Sequence, residues 1–198
     1  MSGNYALIIA QLILGAAASR LPKILERRLK ISIHTPVKAA FFAFLFCAVF
    51  LGEVLDFYYR VPHWDDMLHC ASGAMTAYLG YTLLNAWGEC KLGGVKLPPA
   101  LVAAFAFCFA LTVGGVWELY EFTMDGLFGM NMQKAVLQSG DMLIGHAAIA
   151  DTMQDLAVDC LGAALSSVGY ALSARQKRGD AGLIFQQHFS NNSPTIGR

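Results

Sequence analysis

The sequence predicts an all-α fold, a polytopic transmembrane helix bundle of about five spans, and three observations carry that prediction. Of 198 residues, 56% are hydrophobic and only 14% charged, with a mean hydropathy of +0.49. Water-soluble domains carry about 25% charged residues, so lipid is the solvent this balance fits. Apolar runs recur along the chain at close to the roughly 20 residues that a bilayer crossing requires. Lysine and arginine, finally, collect on alternate links between those runs. The length suits a single membrane domain over 1–174, followed by a polar, mobile tail over 175–198. Net charge is zero and no basic stripe interleaves with aromatics, which excludes a nucleic-acid partner. The five cysteines (47, 70, 90, 108 and 160) include no C-x-x-C pair, so neither a disulfide framework nor a zinc knuckle is expected.

The first apolar segment runs from about Tyr5 to Ser19. Its small residues imitate a signal-peptide cleavage point, but no basic residue precedes it, so a retained, rather short span is expected. A basic link, R-L-P-K-I-L-E-R-R-L-K, leads towards Lys38. The second span covers Ala39 to Tyr58 and the third Met67 to Ala86. A glycine–lysine turn, E-C-K-L-G-G-V-K, precedes Pro98-Pro99. Proline opens a helix well because its missing N–H is one that the first turn leaves unpaired, and the fourth span extends from there to about Phe122. A connection over 123–150 holds the apolar pieces L-F-G-M and M-L-I-G, as expected of a segment lying on or dipping into the membrane. The fifth span covers Asp151 to Ala174.

Orientation follows from the basic residues. With the first link inside, twelve lysines and arginines lie inside and only Arg60 and Lys134 outside. That bias puts the N-terminus outside and the C-terminus in the cytoplasm. Acids sort the other way, eleven outside against three inside, and the topology rule does not account for them because acidic residues contribute little to it.

Four spans bring acids to one level. The second ends with Glu53 and Asp56, and the third opens H-W-D-D-M-L-H, stacking Asp65 and Asp66 with His69. The fourth ends W-E-L-Y-E-F-T-M-D, with Glu118, Glu121 and Asp125 on one face. The fifth opens with Asp151, Asp155 and Asp159 at four-residue intervals. Carboxylates and an imidazole at such spacing on facing helices are how metal sites are built in bundle cores. At about 1.5 Å per residue, Glu53 and Asp159 fall within the outer part of a hydrocarbon core of about 30 Å. A charged carboxylate there costs on the order of 3 kcal/mol, so these acids should face inward and be protonated, hydrogen-bonded or bound to a cation. The expected set is Glu53, Asp66, His69, Glu118, Glu121, Asp155 and Asp159, holding a divalent ion such as Mn, Fe, Zn or Mg. No lysine or arginine is expected among them. Asp65, Asp125, Asp141 and Asp151 read as solvated helix ends, Asp151 as an N-cap and Asp65 or Asp66 as a first-turn acid. Trp64, Trp117, Tyr58, Tyr59 and Tyr120 read as an interfacial aromatic belt. The Gly114-Gly115 pair reads as close helix packing rather than chemistry.

Neither H-E-x-x-H, G-x-S-x-G nor a Walker loop occurs. The ordered motifs W-D-D-M-L-H-C-A-S-G-A, W-E-L-Y-E-F, N-M-Q and D-T-M-Q-D-L-x-x-D-x-x-G-A resemble the YjdF-like family of uncharacterised bacterial inner-membrane proteins over about residues 50–165. The resemblance implies a small multi-pass protein of the bacterial inner membrane with acidic motifs at its helix ends, and supplies no reaction. The expected function is therefore a metal-dependent membrane-embedded enzyme acting on a lipid or lipid-linked substrate, with membrane lipid as its surroundings. A proton- or cation-coupled transporter using the same carboxylates and a structural or partner-binding membrane protein are the alternatives. The inner halves of the spans show few polar groups beyond Thr112 and Ser166-Ser167, which favours a one-sided site over a transport path.

Overall fold

A computed structural model describes residues 5–91, 97–137 and 139–191; most of the glycine–lysine link and the end of the tail lie outside that range. The uncharged α1 (Tyr5–Ala18) is followed by the basic, amphipathic α2 (Leu21–Leu29), which has Pro22 in its first turn and stops where Lys30 adopts a left-handed φ of 53°. The Glu26 carboxylate ties α2 to the segment after it, accepting from the Ile33 N–H and from Lys38 Nζ, both at 3.0 Å. These two partners, the backbone N–H first, hold Glu26 below the usual carboxylate range.

The next helix, α3 (Thr35–Leu45), runs without a break into a π-helix over Phe46–Val54. Asp56, at φ 59°, turns the chain into the single turn α4 (Phe57–Arg60). Three long helices complete the bundle: α5 (Trp64–Lys91), α6 (Pro99–Phe128) and α7 (Ala150–Asn191), the last entered through a 3₁₀ turn over Gly145–Ile149. Thr35–Val54, Pro99–Phe128 and Gly145–Lys177 are each long and apolar enough to cross a membrane. With 28 residues, α5 reaches about 42 Å and packs along the other two, but it carries the polar residues of the site. At 14 residues, α1 falls short of the roughly 20 of a full crossing.

Several boundaries differ from the sequence reading: the second span covers Thr35–Val54, with Tyr58 in the separate turn α4, and the third helix covers Trp64–Lys91 in place of Met67–Ala86. The fourth span continues to Phe128, because the face carrying Glu118, Glu121 and Asp125 is still helical, so the connection shrinks to 129–144. The last helix continues past Ala174 to Asn191.

The core is formed by α5, α6 and α7. Asp66 meets Gln154, and Tyr81 stacks on Tyr170 at 4.4 Å, so α5 and α7 run parallel. Antiparallel to both, α6 sets Ala106 against Gly80 near one end and Glu118 against His69 near the other. Lipid offers helices no hydrophobic drive to associate, so small residues that let backbones approach take its place. Ala77, Ala106, Ala110 and Ala163 form the buried centre. At Gly162 a Cβ would strike the Cys70 carbonyl, and at Gly73 it would strike the Asp159 carbonyl. Here α5 and α7 touch backbone to backbone, and that crossing fixes how His69 faces Asp159. The large side chains Leu119, Phe122, Leu161, Leu165, Val168 and Leu172 point outward, as a lipid-facing surface requires.

Candidate functional site: an acidic cluster around His69

One stripe of α6 carries the bundle from apolar to acidic. Its buried residues are Val102, Ala106, Ala110, Gly114, Glu118 and Glu121, a nearly four-residue repeat whose last two members are carboxylates. Two stripes meet it: Asp155, Asp159 and Ala163 on α7, and His69 and Ala77 on α5. His69, Glu118, Asp155 and Asp159 retain 6%, 5%, 1% and 1% of their exposure, so none has bulk water as its partner.

His69 is the hub. Its Nδ1 lies 3.3 Å from Asp159 Oδ2, whose other oxygen accepts from Ser72 Oγ at 2.9 Å. Space for that carboxylate exists because residue 114 is glycine: a Cβ there would lie against Asp159 Oδ2. Gly115 faces open space, so the two glycines differ, and Gly114 serves the chemistry of the site as well as its packing. In the neutral tautomer that donates from Nδ1 to Asp159, Nε2 carries the lone pair. Facing it are Asp65 Oδ1 at 3.8 Å, Asp155 Oδ2 at 3.9 Å and Glu118 Oε1 at 4.0 Å. These separations are too long for hydrogen bonds. Both Glu118 oxygens and Asp155 Oδ2 are buried without a hydrogen-bond partner, which normally costs about 1–3 kcal/mol each, more for a charged group.

The other expected residues take different places. Glu53, at the end of the π-helix, and Glu121 line the same cavity as His69, and Glu121 accepts from Trp117 Nε1 at 2.9 Å. Asp66 points away from His69, accepting from Gln154 Nε2 at 2.7 Å and pairing with His63 Nδ1 at 2.6 Å. Asp125 is structural: its carboxylate accepts the N–H groups of Met132 and Gln133 at 2.6 and 3.0 Å. Asp65, read from the sequence as a first-turn acid, belongs to the ring around Nε2. Of the expected aromatic belt, Tyr58, Tyr59 and Trp117 also line the cavity.

The expectation that no lysine reaches the acids is overturned. Lys134, on the connection after α6, ion-pairs with Asp65, lies 3.8 Å from Asp151 Oδ2 and sits 5.3 Å above the Tyr58 ring. Burial opposes its charge, but Asp65 and Asp151 outweigh burial and hold the ammonium above the usual lysine range. Burial first, and then the charges of Asp65, Glu53, Glu121 and Asp155, push the Tyr58 phenol up. Asp151 is accordingly an ion-pair partner at the rim rather than an N-cap. The signal for Lys134 was folded into its loop. Asn131 accepts the Val136 N–H and donates to the Val136 carbonyl, at 2.7 and 2.8 Å, while Asp125 anchors the preceding turn.

The cluster opens into a cavity of about 410 Å³ whose far wall is apolar, built from Leu14 and Ala18 of α1, Phe41, Phe44 and Leu45 of α3, and Val49 of the π-helix. A second cavity, of about 400 Å³, lies at the other end of the bundle among Lys30, His34, Tyr78, Tyr81, Asn85 and Tyr170. Asn85 and Tyr170 bond to each other there at 3.0 Å, so that end is more polar than the sequence reading allowed. The alanine core around Ala77 and Ala163 lies between the two.

A family model described as predicted membrane protein (DUF2238) matches residues 2–176. An uncharacterized protein of Thermotoga maritima is 30% identical over 117 residues, a stretch covering 57% of this chain and 50% of the relative. The chain thus matches about half the length of that relative. No solved structure matches.

Proposed function

The chain belongs to this family of predicted membrane proteins, and we propose that it is a divalent-metal-dependent membrane enzyme acting on a lipid or lipid-linked substrate. One observation carries the reading: three carboxylate oxygens face His69 Nε2 at 3.8–4.0 Å, two of them buried without a hydrogen-bond partner. An ion with bonds of about 2.0–2.2 Å holds its ligand atoms roughly 3 to 4.3 Å apart, and the three separations between Nε2 and the oxygens fall in that range. The ligand atoms of Asp65, His69 and Asp155 lie within 4.8 Å of one another. In this reading Asp65, His69, Asp155 and Glu118 hold the ion. Asp159 and Ser72 orient the imidazole from behind, as the partner carboxylates of metal-bound histidines do. One nitrogen among several carboxylates suits Mn, Fe, Zn or Mg better than a soft ion.

A bound ion of this kind polarises a phosphate or carbonyl oxygen, or lowers the pKa of a bound water. Glu53 and Glu121, in the same cavity but outside the ring, are placed to exchange protons with whatever reacts there. The apolar wall along α1 and α3 fits the tail of an amphiphile whose polar end meets the acids. We place the cluster towards the extracytoplasmic face of the bacterial inner membrane, with the C-terminus in the cytoplasm, on the distribution of lysine and arginine. A cation pathway through the bundle is the rival reading. The packed alanine core between the two cavities favours a one-sided site.

Metal analysis of the protein purified in detergent, beside Asp155→Asn and Glu118→Gln, tests the proposal. Stoichiometric metal in the wild type, lost in both variants while the helical content is unchanged, is the expected result. Absence of metal from all three after equilibration with Mn²⁺ and Zn²⁺ refutes it.

A further inference from the structure

Lys134 places a cation where the proposed metal site begins. Asp65 is divided between the two, its Oδ2 paired with Lys134 Nζ and its Oδ1 turned towards His69 Nε2 at 3.8 Å. Lys134 also lines the same cavity as Glu53, His69 and Asp159.

The backbone that carries this lysine is fixed. Its N–H donates to the Asn131 carbonyl at 3.3 Å, Asn131 clasps Val136 through both side-chain atoms, and Asp125 accepts the N–H groups of Met132 and Gln133. Gln133 extends the anchorage to α7 by donating to Thr152 Oγ1 at 2.8 Å. The residue itself sits at φ 50°, a left-handed conformation uncommon for lysine. A side chain held this way is aimed at Asp65 by its loop; it has not drifted there from solvent. The flexible stem nevertheless leaves the ammonium free to swing away without any change in the loop.

We propose that Lys134 is a tethered competitor for the metal site: it neutralises Asp65 and Asp151 in the metal-free protein and is displaced when a divalent ion takes Asp65, so that it sets how tightly the ion binds. The inference rests on the metal reading above. Two positive charges drawing on one carboxylate repel each other strongly in a site this buried. In this proposal that repulsion drives the ammonium off Asp65 Oδ2 when the ion takes Oδ1, and the loss of the pair weakens the apparent affinity. A lysine serving only as a structural counter-ion would act in the opposite direction, since its removal would let the acids splay apart and weaken metal binding.

The test is titration of the detergent-purified protein with Mn²⁺ alone, for wild type, Lys134→Met and Lys134→Arg, followed by the paramagnetic signal of free Mn²⁺. Lys134→Met should bind at least tenfold more tightly than wild type, and Lys134→Arg within about threefold of it. Equal or weaker binding by Lys134→Met overturns the proposal while leaving the metal reading intact; no Mn²⁺ bound by any form refutes both. A second measurement needs no variant. Acylation of Lys134 by an amine-reactive ester, read by peptide mass spectrometry, should rise severalfold when Mn²⁺ saturates the wild type. An unchanged labelling rate at saturation shows the ammonium still paired and refutes displacement.

Discussion

Replacing Asp159 by asparagine separates a group that orients His69 from one that binds metal directly. The substitution keeps the volume at a position that is 1% exposed, so packing against Gly73 and Gly114 is preserved. What changes is the contact at 3.3 Å to His69 Nδ1 and the 2.9 Å bond from Ser72. If the amide nitrogen faces the ring, Nδ1 must accept, the ring proton moves to Nε2, and the lone pair needed by an ion is lost. With the amide in the opposite orientation, Ser72 accepts from it and keeps its own donation to the His69 carbonyl at 2.8 Å; the tautomer then survives and only the charge assistance disappears. Orienting carboxylates of this kind are worth about 10- to 100-fold in metal affinity, or about 1.4–2.7 kcal/mol. The expected result for Asp159→Asn is thus a Kd raised by that factor with full stoichiometry retained. Mn²⁺ titration measures it, and nitrogen-15 chemical shifts of the labelled histidine report which tautomer is present. Wild-type affinity in the variant would refute the orienting role. Complete loss of metal, as expected for Asp155→Asn, would make Asp159 a direct ligand.

Adjacent glycines give an internal control. Gly114→Ala should weaken metal binding as Asp159→Asn does, because its Cβ meets that carboxylate, whereas Gly115→Ala meets nothing within 4 Å and should match the wild type in the same titration. Gly162→Ala forces a methyl against the backbone of Cys70. Overpacking of about 1–3 kcal/mol should outweigh the roughly 1 kcal/mol gained in helix propensity, and thermal unfolding in detergent should show a lower midpoint. The Glu26 clasp carries the pH prediction. A carboxylate held below its ordinary 4.5 stabilises the fold above that pH, and the stabilisation is lost as pH falls through the lowered value. Protection of the Ile33 amide, corrected for intrinsic exchange, should accordingly drop on acidification and be low at every pH in Glu26→Gln.

Much of this arrangement is legible before any coordinates. The four-residue spacing of Asp155 and Asp159, and the W-E-L-Y-E run that sets Glu118 and Glu121 on one face, are properties of helix geometry, and the apolar stretches around them mark depth. What the sequence does not disclose depends on contacts between distant segments. Asp65 and Asp66 are neighbours with the same chemistry, and only the rotation of α5 against α7 decides that the first faces His69 while the second meets Gln154 and His63. Lys134 stands in a stretch without helical or strand periodicity; its position follows from the Asn131 and Asp125 bonds, which no spacing rule reads out. Gly114 and Gly115 look alike in the sequence, and only the position of Asp159 distinguishes them.

The π-helix over Phe46–Val54 has a bearing on how such a site is adjusted. In an α-helix each residue advances the direction of its side chain by about 100°, and the wider π turn advances it by less. The direction in which Glu53 points is therefore set by how many residues are wound that way below it, as well as by its own identity. Restoring α geometry over the segment at its full length would turn this carboxylate away from the cavity while leaving every atom of the glutamate unchanged, whereas removing one residue at the same time would largely cancel that turn. Winding number, as much as side-chain chemistry, is thus a variable through which a helix of this kind adds an acid to the cavity or withdraws it.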